Sequence, residues 1–233
     1  MQIVAKMSPA EFDELLKVLK IFASNKSLSV RQNTIVQSIG TSIVKATCSV
    51  NVPDLDISDL STIKFLENLK RTTNDIEFYD LGPLYLITNN EISIKIPKAH
   101  STETPPDSKI VGDILDTVKI DDVFAQAIAT YTRDMVANIH ITEDEKLLGI
   151  STNEVDILMP RYIGQIPITQ MEQHTKTKLK SKTFMPVRIK STYTFTLLKS
   201  NNNYYLQTTC TIGNSTIDAY EALENMDSLD AII

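Results

Sequence analysis

The stretch that most constrains the fold is SPAEFDELLKVLK, residues 8–20. Ser8 and Glu11 have the spacing of a capping box, in which each side chain accepts a hydrogen bond from the other residue's backbone amide, and Pro9 suits the first helical position. Apolar residues then recur with the spacing of one buried helical stripe, at Phe12, Leu15, Leu16, Leu19 and Phe22. The sequence therefore predicts an amphipathic helix that begins at Ser8 and carries Lys17 and Lys20 opposite its buried stripe.

The residues after this helix change to a period of two, which is typical of strands. Three segments alternate between apolar and polar residues and are rich in β-branched side chains: 28–31, 34–39 and 43–52. They predict an antiparallel meander.

A second helix is predicted to begin near Ser58 or Asp59, because Ile63, Leu66 and Leu69 share one helical face. Lys64, Asn68 and Arg71 lie on the opposite face. Three further strands are predicted at 76–79, 84–88 and 92–96. The first half therefore has the order helix, three strands, helix, three strands.

Residues 97–117 contain three prolines and little periodicity until an apolar end, and they predict an extended connector. From Lys119 the first-half order restarts. Ile120, Val123, Phe124, Ala127 and Tyr131 are predicted on the buried face of a helix, with Lys119, Gln126 and Arg133 opposite. Strands are predicted at 136–141, 147–151 and 155–159.

The counterpart of the second helix is expected at 169–183, where lysines stand at every second position from Lys176 to Lys182. That alternation suits a strand as well as a helix, and only the position in the repeat favours the helix. Strands are predicted to follow at 187–198, 204–212 and 216–223.

A repeat of about 110 residues is the mark of a duplicated module. We therefore expect an α+β fold in which domain 1 spans 1–97, a connector spans 98–117, domain 2 spans 118–224 and an acidic, then apolar, tail spans 225–233.

Composition excludes several classes of protein. Hydrophobic residues make up 42% of the 233-residue chain, but no apolar run approaches the ~18 residues of a membrane span. The first residues carry no stretch long enough for an export signal, so we expect an intracellular, soluble protein that is not secreted. Cys48 and Cys210 lie on predicted strands, where buried reduced thiols are expected in preference to a disulfide.

Enzyme signatures are missing from the sequence. His100, His140 and His174 are scattered, and the six glycines form no phosphate loop. Residues 54–59 are rich in Asp but lack the Gly and distal Glu of an EF-hand, so a solvated loop is expected there. The sequence predicts a non-enzymatic protein with no metal and no cofactor.

The formal charge is −6, but the end of the chain from Asp218 carries five acids and no base, which leaves −1 for the rest. Lysines and arginines gather on the predicted helices, opposite their apolar stripes. Taken one at a time, such faces are ordinary solvated surfaces; their repetition on four helices is what suggests contacts to DNA phosphates.

This arrangement resembles the DNA sliding clamps, the ring-shaped polymerase processivity factors, and in size it resembles the two-domain clamps of tailed phages, archaea and eukaryotes. The resemblance rests on the strand and helix of residues 2–24, the meander 28–52, the second helix and its strands 62–96, the connector, and the second copy 118–223. It implies that six domains from a homotrimer form a ring, with antiparallel sheets outside, two helices per domain inside, and duplex DNA in the hole.

The resemblance also implies partners and site residues. The expected partners are double-stranded DNA, a DNA polymerase, a clamp loader and other copies of the chain, with transcription factors as further DNA-bound partners. The expected location is the cytoplasm or nucleoid, or the host cytoplasm for a viral protein. The residues expected to face DNA are Lys17, Lys20, Lys64, Arg71, Lys119, Arg133, Lys176 and Lys180.

Partners of such clamps insert an apolar peptide beneath the connector. By position, Ile110, Val111, Ile114 and Leu115 are candidates for that pocket wall, with a plain core role as the alternative. The tail itself is either a frayed end or an apolar peptide that docks on this protein or on another. The competing interpretation of the whole chain is a structural or adaptor protein, such as a viral assembly component, built on a duplicated α/β module.

Overall fold

The computed structural model describes residues 2–22, 28–39, 42–57, 63–71, 73–99, 112–131, 136–181 and 191–225. Its α-helices are α1 (Pro9–Leu19), α2 (Ile63–Leu66) and α3 (Asp122–Tyr131), and its 3-10 helices span Glu67–Arg71, Pro160–Tyr162 and Ile168–His174. In the first half, the strands are β1 (Gln2–Met7), β2 (Leu28–Arg31), β3 (Thr34–Ile39), β4 (Ser42–Thr47), β5 (Leu55–Ile57), β6 (Ile76–Asp80), β7 (Leu84–Thr88) and β8 (Ser93–Pro97). In the second half, they are β9 (Asp113–Ile120), β10 (Ala137–Ile141), β11 (Leu147–Ser151), β12 (Asp156–Leu158), β13 (Thr177–Ser181), β14 (Tyr193–Ser200), β15 (Asn203–Ile212) and β16 (Ser215–Asn225).

The chain divides into two compact units. Unit 1 comprises Met1–Gln37, Val44–Ser108 and Thr211–Ile217, and unit 2 comprises Ser38–Ile43, Lys109–Cys210 and Asp218–Ile233. The domain boundaries drawn from the sequence, at residues 97, 117 and 224, stay predictions.

Helix α1 begins as its sequence predicts. The Glu11 amide donates to Ser8 Oγ over 3.4 Å and the Ser8 amide donates to Glu11 Oε2 over 2.8 Å, so both arms of the capping box are present. The predicted stripe is buried, and Phe12 at its centre meets the ring of Phe78 edge to face at 6.2 Å. Burial of this stripe, rather than helix propensity alone, holds a helix of this length in place.

Unit 1 contains two antiparallel strand systems. One has the order β1-β6-β7-β8; in the other, β2 lies between β3 and β5, and β4 lies beside β3. The β2–β3 hairpin turns through Gln32 and Asn33, whose φ angles are 48° and 62°. Two consecutive positive φ angles are the geometry that matches the twist of a two-residue hairpin.

Unit 2 uses the same pairing scheme. The order β9-β14-β15-β16 corresponds to β1-β6-β7-β8, and β10 lies between β11 and β13 as β2 lies between β3 and β5. Strand β12 beside β11 completes the correspondence with β4 beside β3. In each half a helix follows the first strand. The predicted α+β fold, a duplicated module with antiparallel sheets, is thereby confirmed.

The helix predicted at 169–183 is wrong. The chain forms a 3-10 helix over Ile168–His174 and then strand β13, which pairs with β10 on one side and with β16 on the other. Leu179 and Ser181 are fully buried while Lys178 and Lys180 are half-buried, so the alternation of the lysines is that of a strand. Residues 182–190, which follow β13 in the chain, lie outside the described residues.

The predicted face of the helix near residue 120 is also wrong. Lys119 and Ile120 belong to β9, and α3 begins after Asp121, whose Oδ1 accepts from the Phe124 amide at 2.8 Å. Val123 is 72% exposed, whereas Ala125 and Ile128 are fully buried. The start of the helix sets which residues face inward, and the pairing of β9 with β14 sets that start. Strand β5 was missed as well, since Leu55–Ile57 lies inside a segment interpreted as a loop.

Candidate nucleic-acid interface

In unit 1, the basic residues predicted to face DNA lie on two helical segments that pack together. Lys17 is exposed on α1, Lys20 is exposed at the C-cap of α1, and Lys64 is exposed on α2. Helix α1 contacts both α2 and the 3-10 helix that follows it. The geometry thus brings these three lysines onto neighbouring elements.

Ion pairs join the two segments where they pack. Lys17 Nζ lies 2.6 Å from Asp13 Oδ2 within α1, while Lys20 pairs with Glu67 and Lys70 pairs with Asp13 across the packed segments. Lys70 was not among the predicted residues. Its position one residue after Leu69, which was predicted to be buried and is buried, is the sequence feature from which it could have been predicted. Among the described residues, no acid forms an ion pair with Lys64.

The electrostatics of this surface follow from these pairs. Hydrogen bonds from Lys17 and Lys70 hold the pKa of Asp13 below its usual value, and the hydrogen bond to Asp13 raises the pKa of Lys17. Because Lys17 and Lys20 are well exposed, each pair contributes little to stability. Three lysines, Lys17, Lys20 and Lys70, pair with the two carboxylates of Asp13 and Glu67, and Lys64 adds an exposed cation on the neighbouring α2.

Of the other residues expected to face DNA, Lys119, Lys176 and Lys180 belong to unit 2. Lys119 is exposed on β9, Lys176 is exposed between the 3-10 helix and β13, and Lys180 is half-buried on β13. The Arg71 side chain and Arg133 lie outside the described part of the chain. Helix α3 carries no Lys or Arg within Asp122–Tyr131, so the basic helix face predicted for this part of the second half is not formed by α3 itself.

The residues predicted to wall a peptide pocket are only partly described. Ile110 and Val111 lie outside the described residues. Ile114 is 68% exposed and Leu115 is half-buried; both belong to β9, which pairs with β14. Neither lines the apolar groove that the structure contains elsewhere in unit 2.

That groove has a volume of about 560 Å³ and lies between α3, strand β12 and the segment that follows β12. Phe124 and Ala127 line it from α3, Ile157 lines it from β12, and Ile163 and Ile168 line it from the segment beyond. Ile163 is 63% exposed and Ile168 is 51% exposed, so the groove opens to solvent. No sequence motif predicted this groove.

A salt bridge holds this segment against the sheet. Arg161 donates through Nη1 to Asp116 Oδ1 at 2.9 Å and through Nη2 to Asp116 Oδ2, and it also donates to the Leu147 carbonyl at 3.1 Å. Burial opposes ionisation of Asp116, but Arg161 and the Leu147 amide outweigh it and keep the pKa of Asp116 below its usual value. Beneath the segment, Leu148, Leu158 and Met171 form a buried cluster.

His140, Ser151 and the two cysteines are buried instead of exposed to a substrate. His140 Nε2 lies 2.6 Å from Ser151 Oγ, a separation that would suit a base and a nucleophile, but both residues are buried. Cys48 and Cys210 are buried free thiols, and burial raises the pKa of each to about 11. A thiol with such a pKa is a poor nucleophile near neutral pH.

Within the described ranges, no three His, Cys, Asp or Glu side chains are placed to hold a metal ion. Nor does any helix there have the length and apolar character needed to cross a membrane.

Comparison with known proteins gives one kind of match. No family model matches the chain, and no curated protein does. Solved structures match it along nearly its whole length. A structure of the C-terminal region of FEN-1 bound to A. fulgidus PCNA matches with a TM-score of 0.55 and 12% identity, over 96% of this chain and 98% of that one.

Two bacterial structures match similarly. The DNA polymerase III beta chain of Streptococcus pneumoniae matches with a TM-score of 0.61 and 11% identity, over 96% of this chain and 65% of that one. A DNA polymerase III beta subunit described as putative, from Eubacterium rectale, matches with a TM-score of 0.54 and 9% identity, over 95% of this chain and 65% of that one. This chain therefore spans slightly less than two thirds of the bacterial chains. Together with the duplicated pairing scheme, these matches show that the chain has the fold of the DNA sliding clamps.

Proposed function

We propose that this protein is a sliding clamp that encircles duplex DNA and tethers a replicative DNA polymerase as its processivity factor. The observation that carries the proposal is the duplication: two copies of one α+β module, joined in one chain, with the fold of the sliding clamps. In this proposal the protein is a non-enzymatic scaffold that acts inside the cell, at the nucleoid or, for a viral protein, in the cytoplasm of the host.

Ring closure follows from the number of modules per chain. Six such domains make a ring, so a chain with two domains would form a homotrimer. Strand β8 is an edge strand of the sheet β1-β6-β7-β8. Strand β12 is an edge strand of the other sheet, where it pairs with β11. Exposed strand edges readily pair with another chain. We propose that β8 of one subunit pairs with β12 of the next, which repeats one head-to-tail contact until the ring closes.

DNA contact in this proposal is made by phosphate neutralisation and carries no sequence information. The exposed lysines of α1 and α2, Lys17, Lys20 and Lys64, would touch the duplex, and Lys70 would add to their field. Arg71, Lys119, Arg133, Lys176 and Lys180 remain proposed contacts on the same basis. Such contacts are weak, sensitive to salt and exchangeable along the duplex, which permits sliding while the closed ring prevents escape.

The proposed partners are the polymerase, a clamp loader that opens the ring, and other DNA-bound factors such as transcription factors. A binding site for the apolar peptides of these partners at Ile110, Val111, Ile114 and Leu115 stays part of the proposal.

The proposal is tested by mass and by topology. Light scattering across a dilution series should give a mass near three times 26.1 kDa. The protein should then remain on circular duplex DNA through a gel-filtration column and run off linear DNA of the same length. A monomer at every concentration would contradict the ring. A trimer that leaves circular and linear DNA equally fast would favour the structural or adaptor protein.

A further inference from the structure

The apolar groove of unit 2 results from a connection that the two copies of the module do not share. Residues 48–54 join β4 to β5, whereas residues 159–176 join the corresponding strands β12 and β13. The longer connection supplies Ile163 and Ile168, which form one wall of the groove and are both more than half exposed. A solvent-exposed apolar surface of this kind indicates an interaction site.

The strand register relates this groove to the end of β16. Asn225 pairs with Leu179, Leu179 with Ile139, Ile139 with Ile150, and Ile150 with Ile157, so one row crosses five strands. Four strand spacings put Asn225 about 19 Å from Ile157 in the groove wall. All four pairings are antiparallel, so β16 and β12 run in the same direction. The chain therefore leaves β16 at the end of the sheet where β12 leads into the groove-forming connection.

The residues that follow Asn225 are Met226-Asp227-Ser228-Leu229-Asp230-Ala231-Ile232-Ile233, and they lie outside the described residues. Ile232 is the seventh residue after Asn225, and seven residue steps of extended chain span about 23 Å. This reach exceeds the distance across the sheet. The segment is acidic at first and apolar at its end.

We propose that the apolar end of this segment, residues 231–233, occupies the groove of its own chain. The groove accepts it because its lining is almost wholly apolar, with Asp156 as the charged exception. Asp227 and Asp230 precede the apolar end and can stay in solvent over the path across the sheet. A short tether also holds the segment at an effective concentration on the order of millimolar, so a weak contact suffices. The proposal needs no ring, and it holds for a single chain.

The absence of tryptophan provides a clean test. In the full-length chain, Ile232→Trp introduces one indole, whose emission should lie at shorter wavelength than that of a solvated indole and should be protected from acrylamide. Adding Ile168→Asp places a charge in the groove wall and should move the emission to longer wavelength and remove the protection. Ile163→Asp serves the same purpose if circular dichroism shows that Ile168→Asp does not fold.

Ile3→Asp is the matched control. Ile3 is 53% exposed on β1 in unit 1, close to the 51% of Ile168, and it should leave the emission of the Ile232→Trp reporter unchanged. The Ile232→Trp chain can also be mixed with an excess of Ile168→Asp chains that carry no tryptophan. Its emission should stay the same, because the segment occupies the groove of its own chain. A solvated emission in the reporter alone, an equal effect of Ile3→Asp, or a loss of the shift on mixing would each overturn the proposal.

Discussion

The hydrogen bonds around His140 determine which of its ring nitrogens carries the proton. Thr175 Oγ1 donates its proton to the Met171 carbonyl at 2.9 Å, so toward His140 Nδ1, at 3.0 Å, it acts as an acceptor. Nδ1 therefore carries the proton, and Nε2 accepts from Ser151 Oγ at 2.6 Å. The imidazole is neutral, and its hydrogen bonds connect β10 with β11 and with the end of the 3-10 helix Ile168–His174.

This network makes stability depend on pH. Burial lowers the pKa of His140 below its ordinary value of 6.5, and Lys178 adds to that effect while Glu172 and Asp156 oppose it. In the unfolded chain the group takes up its proton near pH 6.5, but in the folded chain only at lower pH. The stability that the neutral histidine provides is therefore complete above pH 6.5 and is lost as the pH falls through the folded value.

We expect urea unfolding at several pH values to show this loss. Between pH 7.5 and 5 the free energy of unfolding of the unmodified chain should fall more steeply than that of His140→Gln, which cannot take up the proton. His174→Gln is the control, because His174 is exposed, and its pH dependence should match the unmodified chain. Parallel curves for the unmodified chain and His140→Gln would contradict the assignment.

Among the ion pairs of the described residues in unit 2, the pair between Arg161 and Asp116 should cost most to remove. The Asp116 side chain is only 8% exposed, and Arg161→Met would leave its carboxylate buried without its cation. Removing one partner of a buried pair costs about 3–5 kcal/mol, and we expect about 2–3 kcal/mol here because Arg161 is one-third exposed. Chemical denaturation of the purified variant measures the difference.

Lys178→Met is the matched control for this variant. Lys178 pairs with Glu172 at 2.7 Å in the same unit, but the Glu172 side chain is 63% exposed. An exposed pair contributes roughly 0–1 kcal/mol. Equal destabilisation by Arg161→Met and Lys178→Met would show that burial of Asp116 does not determine the cost.

At the scale of the elements, α3 shows how a helix can keep its place in a sequence while its buried face changes. The sequence predicted a helix in this region, but pairing of β9 with β14 extends the strand through Ile120 and delays the helix to Asp122. The delay turns Val123 outward and Ala125 and Ile128 inward. A helix as short as this one depends on its packed face more than on propensity.

Truncation of two β-branched residues of α3 distinguishes the two faces. Ile128→Ala should destabilise the protein by about 2–4 kcal/mol, since a buried isoleucine leaves a cavity. Val123→Ala should change stability by less than about 0.5 kcal/mol, because its side chain is already in solvent. Thermal unfolding of both variants gives the comparison, and a larger destabilisation by Val123→Ala would reverse the assignment of the faces.

At the scale of the whole molecule, the proposed clamp activity requires positive charge in an acidic protein. Lys64→Ala tests one proposed phosphate contact, since Lys64 is exposed and its pairing with an acid is not seen among the described residues. The slope of log affinity for duplex DNA against log salt should become shallower by about 0.9, because the variant neutralises one phosphate fewer. The mass of the assembly should stay that of the unmodified protein.

Lys146→Ala is the control for that experiment. Lys146 is exposed in the β10–β11 hairpin, far in sequence from the lysines of α1 and α2. Its replacement by alanine changes the net charge by the same amount as Lys64→Ala. The salt slope should remain that of the unmodified protein. An equal change in the two variants would mean that only net charge acts, and that Lys64 does not touch a phosphate.

Local signals were sufficient for much of the fold. The capping box at Ser8, the period-two segment at Leu28–Arg31 and the strand predicted at Leu147–Ser151 correspond to elements that the structure contains with nearly the same bounds. Each depends on neighbours within a few residues, which the sequence displays directly. The exposure of Lys17, Lys20 and Lys64 was predictable for the same reason.

What the sequence by itself determined was therefore the α1 cap, the alternating strands and the order of the duplicated module. Only the tertiary structure decided that Thr177–Ser181 is a strand, that Val123 faces solvent, and that Lys70 reaches Asp13 from a distant part of the chain. It also decided that the connection after β12 forms an apolar groove with α3. The physical reason is that these features depend on pairing and packing between segments far apart in sequence, and those interactions override local periodicity when the two disagree.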